Sequence, residues 1–382
     1  MIGFALLLML QADPGRLQFE EANRLAEQGH CEQAEPIYIE LSKEYPDKAA
    51  IPFALGQCQF RDKNYVAAAE SFQRTLNIDP ATTMAASMRG AALGMDGKTA
   101  EAVEQLRSAT KQDPKFAPAF RMLGMFEAEN GNTGPEAREV LEKAVSLDPA
   151  DGRAHYWLGE VLLAEKAYEA ALKEFAAALH IEPQSPQAVM GKASALRENG
   201  QVEAALAEFA TVLQQNPNSA KALLGTAQCQ YDLQNFRAAT ESAEAARKGT
   251  MDIADRRTAL WLLARLYRVQ DEPQEARRAE SELTGMERET NEKLARFRSL
   301  QQRAAQYRAA GDFVKVAETL EEALKIEERQ DSLVVLGDAY RKLGRPKDAI
   351  ACYLRALETG PEQVEIRQRL EETQAALAQS TR

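Results

Sequence analysis

Prolines fall in this chain on a clock. Pro46, Pro80, Pro114, Pro149, Pro183 and Pro217 follow one another at steps of 34, 34, 35, 34 and 34 residues. Proline has no amide proton, and its ring clashes with the turn before it, so a proline ends a helix. A stop at this interval marks off a repeating unit, and two short helices with a turn fit within it. Other residues keep the same step. Ala34, Ala68, Ala102, Ala137, Ala171 and Ala205 precede the prolines by twelve, and Tyr38, Phe72, Leu106, Leu141, Phe175 and Phe209 by eight. Ala22, Gly56, Gly90 and Ala193 stand 24 before, with Gly124 and Gly159 at or next to the same place. Gly29, Gly97, Gly131, Gly200, Gly311 and Gly344 suit the turn between the two helices, where a left-handed residue is wanted. The small residue of the first helix is expected to face the alanine of the second. The bulky residue should fill the gap toward the next repeat. One such pair cannot cover its own apolar surface, so neighbours must stack.

The fifth copy reads His155-Tyr156-Trp157-Leu158-Gly159, then Ala171, Phe175, Ala178 and Pro183. The last reads Leu336-Gly337-Asp338-Ala339-Tyr340, then Gly344, Ala349, Tyr353, Ala356 and Pro361. This resembles the tetratricopeptide repeat family, whose 34-residue unit has a bulky residue, Leu-Gly, Tyr, Ala, Phe and Pro in that order. The resemblance implies an all-α, right-handed superhelical solenoid of about ten helix-turn-helix repeats. Residues 1–14 are expected to be a signal peptide or an N-terminal cap. Residues 15–286 form an array of about eight repeats, 287–361 a long helix with a C-terminal repeat pair, and 362–382 a cap helix and tail.

Composition narrows the function. Of 382 residues, 47 are Lys or Arg and 58 are Asp or Glu, a net charge of −11. A chain gripping nucleic acid along its length would be basic, so no nucleic-acid partner is expected. The charge is concentrated, with 18 basic and 28 acidic residues in 1–190 against 29 and 30 in 191–382. His30, His155 and His180 lie in different copies, and no metal-ligand, phosphate-loop or nucleophile motif is present. No enzyme activity, cofactor or metal site is expected. His180 suits a helix C-terminus, and His155 a packing role. Ile2 to Leu10 is a continuous apolar run, too short to span a bilayer. It suits export to a bacterial periplasm or the exterior; a cytoplasmic chain whose N-terminus caps the array is the alternative. Cys31 and Cys58 fall on helix ends that the register brings together, and in an exported chain they can pair.

The family resemblance also implies that first helices line a concave wall where a protein or peptide segment lies. In the first half of the array the register points Phe53, Gln57 and Phe60 inward, then Met84, Met88 and Met95, then Arg121 and Met125. Further on it points Tyr156, Glu160 and Leu163, Met190 and Arg197, and Leu224, Gln228 and Tyr231 inward. Trp261, Arg265 and Arg268 follow, with Arg308, Asp338 and Arg341 near the end. Methionine suits a surface that adapts to apolar partners; packing between neighbouring helices is the alternative. The arginines can clamp a carboxylate, or be paired within the chain. Some family members hold a chaperone's C-terminal carboxylate with lysines, arginines and asparagines; here Phe19 and Ala54 stand where two of those would be, and only Asn23 matches. The leading function is therefore a non-catalytic interaction scaffold. An accessory subunit of an enzyme complex, such as a glycosyltransferase or envelope assembly machine, is the second reading.

Overall fold

Each proline interval folds as a pair of helices. The computed structural model describes residues 14–129, 133–359 and 364–380, and holds twenty helices and no strand among them. Repeats one to four are α1 (Pro14–Glu27) with α2 (Cys31–Glu44), α3 (Ala50–Arg61) with α4 (Tyr65–Ile78), α5 (Thr83–Met95) with α6 (Thr99–Gln112), and α7 (Ala117–Glu129) with α8 (Pro135–Leu147). Repeats five to seven are α9 (Gly152–Ala164) with α10 (Tyr168–Ile181), α11 (Pro186–Glu198) with α12 (Val202–Gln215), and α13 (Ala220–Asp232) with α14 (Phe236–Arg247). Then come α15 (Ile253–Val269), α16 (Pro273–Ala309), α17 (Phe313–Leu324), α18 (Gln330–Lys342), α19 (Pro346–Thr359) and α20 (Val364–Ser380). The expected signal or cap segment, apart from Pro14, lies outside the described residues, as do Gly131 and Pro361.

The acidic or amide residue before most of the prolines has a local job. Asp79, Asp113 and Asp148 are the C-caps of α4, α6 and α8, in the extended backbone that a following proline imposes. Their Oδ1 atoms accept from Ala81, Lys115 and Ala150 N–H at 3.1, 2.9 and 3.1 Å. The side chain thus closes a small turn across the proline and leads the chain into the next repeat.

Among the described residues, nine of the turns within repeats hold one residue at positive φ. Gly29, Gly97, Gly200, Gly311 and Gly344 supply it at φ 69 to 86°. Four repeats put Lys63, Lys166, Gln234 and Asp271 there instead, at φ 58 to 64°. A β-carbon makes that conformation costly. Lys166→Gly and Gln234→Gly should therefore each stabilise the chain by about 0.5–1 kcal/mol in urea unfolding, and Gly200→Ala should destabilise it by a similar amount. Destabilisation by both glycine substitutions would show that these side chains hold the turns.

Close packing adds a contact to the one expected. The small residue of the first helix lies against the bulky residue of the second, and Gly90 lies against the Ala102 carbonyl as well. A β-carbon on Gly56 would come within 2.8 Å of the Phe72 ring, and one on Gly159 within 2.7 Å of Phe175. Phe175 is also 2.4 Å from a β-carbon built on Gly191 of the next repeat. The ring is thus held between two glycines, one in its own repeat and one beyond. The alanines Ala34 through Ala205 are fully buried, and no larger side chain has room there.

The long helix also begins earlier than expected. It runs unbroken from Pro273 to Ala309, so residue 287 lies inside one rod and not at a junction. Its first part pairs with α15 as the second helix of repeat eight, and its last part with α17 as the first helix of repeat nine. The exposed middle is held by charge pairs one turn apart, Glu289–Lys293 at 2.7 Å and Arg288–Glu292 at 3.1 Å. At the C-terminal end α20 buries Ile366, Leu370 and Thr373 on the last repeat and presents a polar outer face.

Candidate functional site

First helices touch one another directly from repeat to repeat: α5 meets α7, then α9, α11, α13 and α15 follow in turn. Second helices make at most marginal contact of this kind. A stack whose first helices crowd and whose second helices spread must curve with the first helices inside. The positive-φ turn residue gives a common origin for that inner wall. Positions ten, six and three before it lie at i, i+4 and i+7 on one helix face. From α9 to α15 they form three rows. Tyr156, Met190, Leu224 and Trp261 make the first, Glu160, Ser194, Gln228 and Arg265 the second, and Leu163, Arg197, Tyr231 and Arg268 the third.

Two adjoining depressions open on these rows. One, of about 390 Å³, is lined by Leu163, Ser194, Arg197, Gln228 and Phe209, among others. The other, of about 200 Å³, is lined by Arg197, Gln228, Tyr231, Thr258, Trp261 and Arg265, with Asp232 and Leu262. Arg197 and Gln228 belong to both, so the two adjoin, and together they span four first helices. Trp261 is 49% exposed. The Arg265 guanidinium stacks 4.5 Å from its ring centroid and 5.3 Å from that of Tyr231, which holds a cation flat against an aromatic floor. Arg197 is anchored by Asp232 and Glu198, both at 2.8 Å. Toward α9, burial raises the Glu160 carboxyl above its ordinary range, with Lys221 opposing. Burial first, then the charges of Glu160 and Glu129, raises the Tyr156 hydroxyl.

Other inward candidates stand apart from this groove. Phe53 packs on Phe72 at 5.7 Å and Phe60 on Tyr65 at 5.3 Å, while Gln57 is exposed. Arg121 is paired with Asp151 at 2.7 Å. Leu224 keeps its place in the first row but is only 5% exposed, so most of its side chain packs into the core behind the wall. The residues equivalent to Phe53, Gln57 and Phe60 one repeat on are Ser87, Ala91 and Gly94, so Met84, Met88 and Met95 fall outside the rows. Met84 and Met95 are exposed, whereas Met88 and Met125 are half-buried against one core cluster and Met190 against another. The arginines disperse as well. Arg268 pairs with Glu280, and Arg341 reaches Glu372 at 3.5 Å. Arg308, Asp338 and Arg341 line a separate depression of about 860 Å³ between α16, α18 and α20. His155 is tied to Glu174 at 2.6 Å and to the Pro149 carbonyl at 3.2 Å, the setting of a structural histidine. No group of three or more metal-ligating side chains occurs among the described residues, and no described helix is long and apolar enough to cross a membrane.

A curved stack of helix pairs defines a helical-repeat solenoid of the kind that presents a surface to other chains. Tetratricopeptide repeat patterns match residues 19–82, 134–187, 196–252 and 330–372, together more than half of the sequence. The chain belongs to the tetratricopeptide repeat family. It is 30% identical over 142 residues to a DnaJ homolog subfamily C member 7 homolog of Dictyostelium discoideum, which is 36% of this chain and 26% of that protein. It is 33% identical over 89 residues to small glutamine-rich tetratricopeptide repeat-containing protein 2 of Mycosarcoma maydis, 23% of this chain and 25% of the other. The chain thus spans about a quarter of the length of these curated relatives. Among solved structures, a tetratricopeptide repeat protein from Parabacteroides merdae superposes with a TM-score of 0.51 at 16% identity, covering 65% of this chain and 98% of that one. That likeness concerns the fold alone.

Proposed function

We propose that this protein is a non-catalytic scaffold that holds a segment of a protein partner along the rows of α9, α11, α13 and α15. The observation that carries the reading is the pair of adjoining depressions from Leu163 to Arg265, floored by an exposed tryptophan and a stacked arginine. An exposed aromatic beside a preorganised guanidinium is the composition of an interface anchor. The groove runs across several repeats, as an extended segment requires.

The test is capture from native extract on immobilised protein, identification of the recovered chain by mass spectrometry, and titration of its segment as a synthetic peptide. Trp261→Ala combined with Arg265→Glu should weaken peptide affinity by about tenfold or more. Met84→Gln with Met95→Gln, exposed but off the rows, should leave it unchanged. Equal affinity for the wild type and the Trp261/Arg265 variant would refute the placement of the groove.

A further inference from the structure

Cys31 opens α2 and Cys58 lies in the last turn of α3, on helices that pack against each other across the boundary between repeats one and two. Both residues are buried, at 1% and 0% exposed. The Cys31 thiol donates to Cys58 Sγ at 2.7 Å, against about 2.05 Å in a formed disulfide. Only a small side-chain adjustment separates the two states. Cys229 and Cys352 are buried too, but in separate core clusters of their own. The pair is thus the one place among the described residues where two thiols meet.

We propose that Cys31 and Cys58 are a site of oxidative modification, closing to an intramolecular disulfide that locks the first repeat onto the second. This is independent of the partner groove, which lies several repeats away. The oxidant is a disulfide, either a small molecule such as oxidised glutathione or a protein dithiol carrier. One cysteine thiolate attacks the oxidant, forming a mixed disulfide and releasing one thiolate. The second cysteine thiolate attacks the protein sulfur of that mixed disulfide and releases the other. The protein loses two hydrogens and the oxidant leaves as two thiols, so electrons and protons balance.

The position has a physical rationale. Helix pairs of a stacked array open locally at less cost than the whole chain unfolds, so the contact between α2 and α3 can part while the rest of the array holds. A bond across the 27-residue separation of the two cysteines removes that freedom from the opened state. Burial first, and then the hydrogen bond with Cys31, pushes the Cys58 thiol up to about 12. Little thiolate therefore exists in the closed fold. The exchange takes place while the first repeat is still folding or transiently open. Once formed, the bond is shielded from reductant by the same burial.

The full chain is refolded in a glutathione redox buffer, denatured, alkylated and digested. The expected result is two alkylated cysteines, Cys229 and Cys352, and a peptide joining Cys31 to Cys58. Four alkylated cysteines, or a bond involving Cys229 or Cys352, would overturn the proposal. The oxidised protein should melt about 5 °C above the reduced one, with no such difference in Cys58→Ser. An identical transition in oxidised and reduced wild type would overturn the locking role even with the bond present.

Discussion

Ala171→Glu is expected to destabilise the fifth repeat by roughly 3–5 kcal/mol, the cost of an uncompensated buried charge. Ala171 is fully buried on α10, in a cluster with Leu158, Val161, Leu162, Phe175 and Ala195. None of these can pair with a carboxylate. The carboxylate must either take up a proton and stay as the neutral acid or force the helices apart, and both outcomes cost stability. Because each repeat leans on its neighbours, the damage should also divide the array. Unfolding in urea should change from one transition to two, and hydrogen exchange should accelerate in α9 and α10 first. Wild-type-like melting would mean that Ala171 does not sit in the tight contact between the paired helices.

Phe175→Ala should cost a comparable roughly 3–5 kcal/mol, because it empties the space between Gly159 and Gly191. The companion substitution makes the test specific. Gly159→Ala in the wild type places a methyl 2.7 Å from the Phe175 ring, an overpacking cost of about 1–3 kcal/mol. With Phe175 already cut to alanine, the same methyl enters vacated space. It also gains the helix propensity of alanine over glycine, about 1 kcal/mol. The sign of Gly159→Ala should therefore reverse between the two backgrounds. Additive effects would show that glycine and ring do not meet, and the pairing of first and second helices would have to be redrawn.

Much of this architecture is legible in the amino-acid order because its punctuation is chemical. Proline must stop a helix wherever it stands, and an alanine recurring twelve residues earlier has few explanations other than close packing. What faces what is harder to read. Glycine and alanine share the same neighbourhood in every repeat, and spacing alone does not tell whether the small residue opposes the small or the large one. In repeats five to seven Lys166, Gly200 and Gln234 keep the 34-residue step, so one register carries through all three. From Gln234 to Asp271 the step is 37, and Trp261, Arg265 and Arg268 still reach the rows because they form one helix stripe. In repeat three methionine stands out by composition, while the residues that fall on the rows, Ser87, Ala91 and Gly94, are small and carry no signal. The continuity of α16 has a signal in hindsight. Between Pro273 and Gly311 only Gly285 interrupts a run of helix-favouring residues, and nothing stops the helix.

Amide hydrogen exchange of the protein with and without its captured partner bears most directly on the groove. Slowed exchange confined to α9, α11, α13 and α15, with α10, α12 and α14 unchanged, is the expected result. Protection that falls instead on the second helices, or on repeats one to three alone, would contradict it.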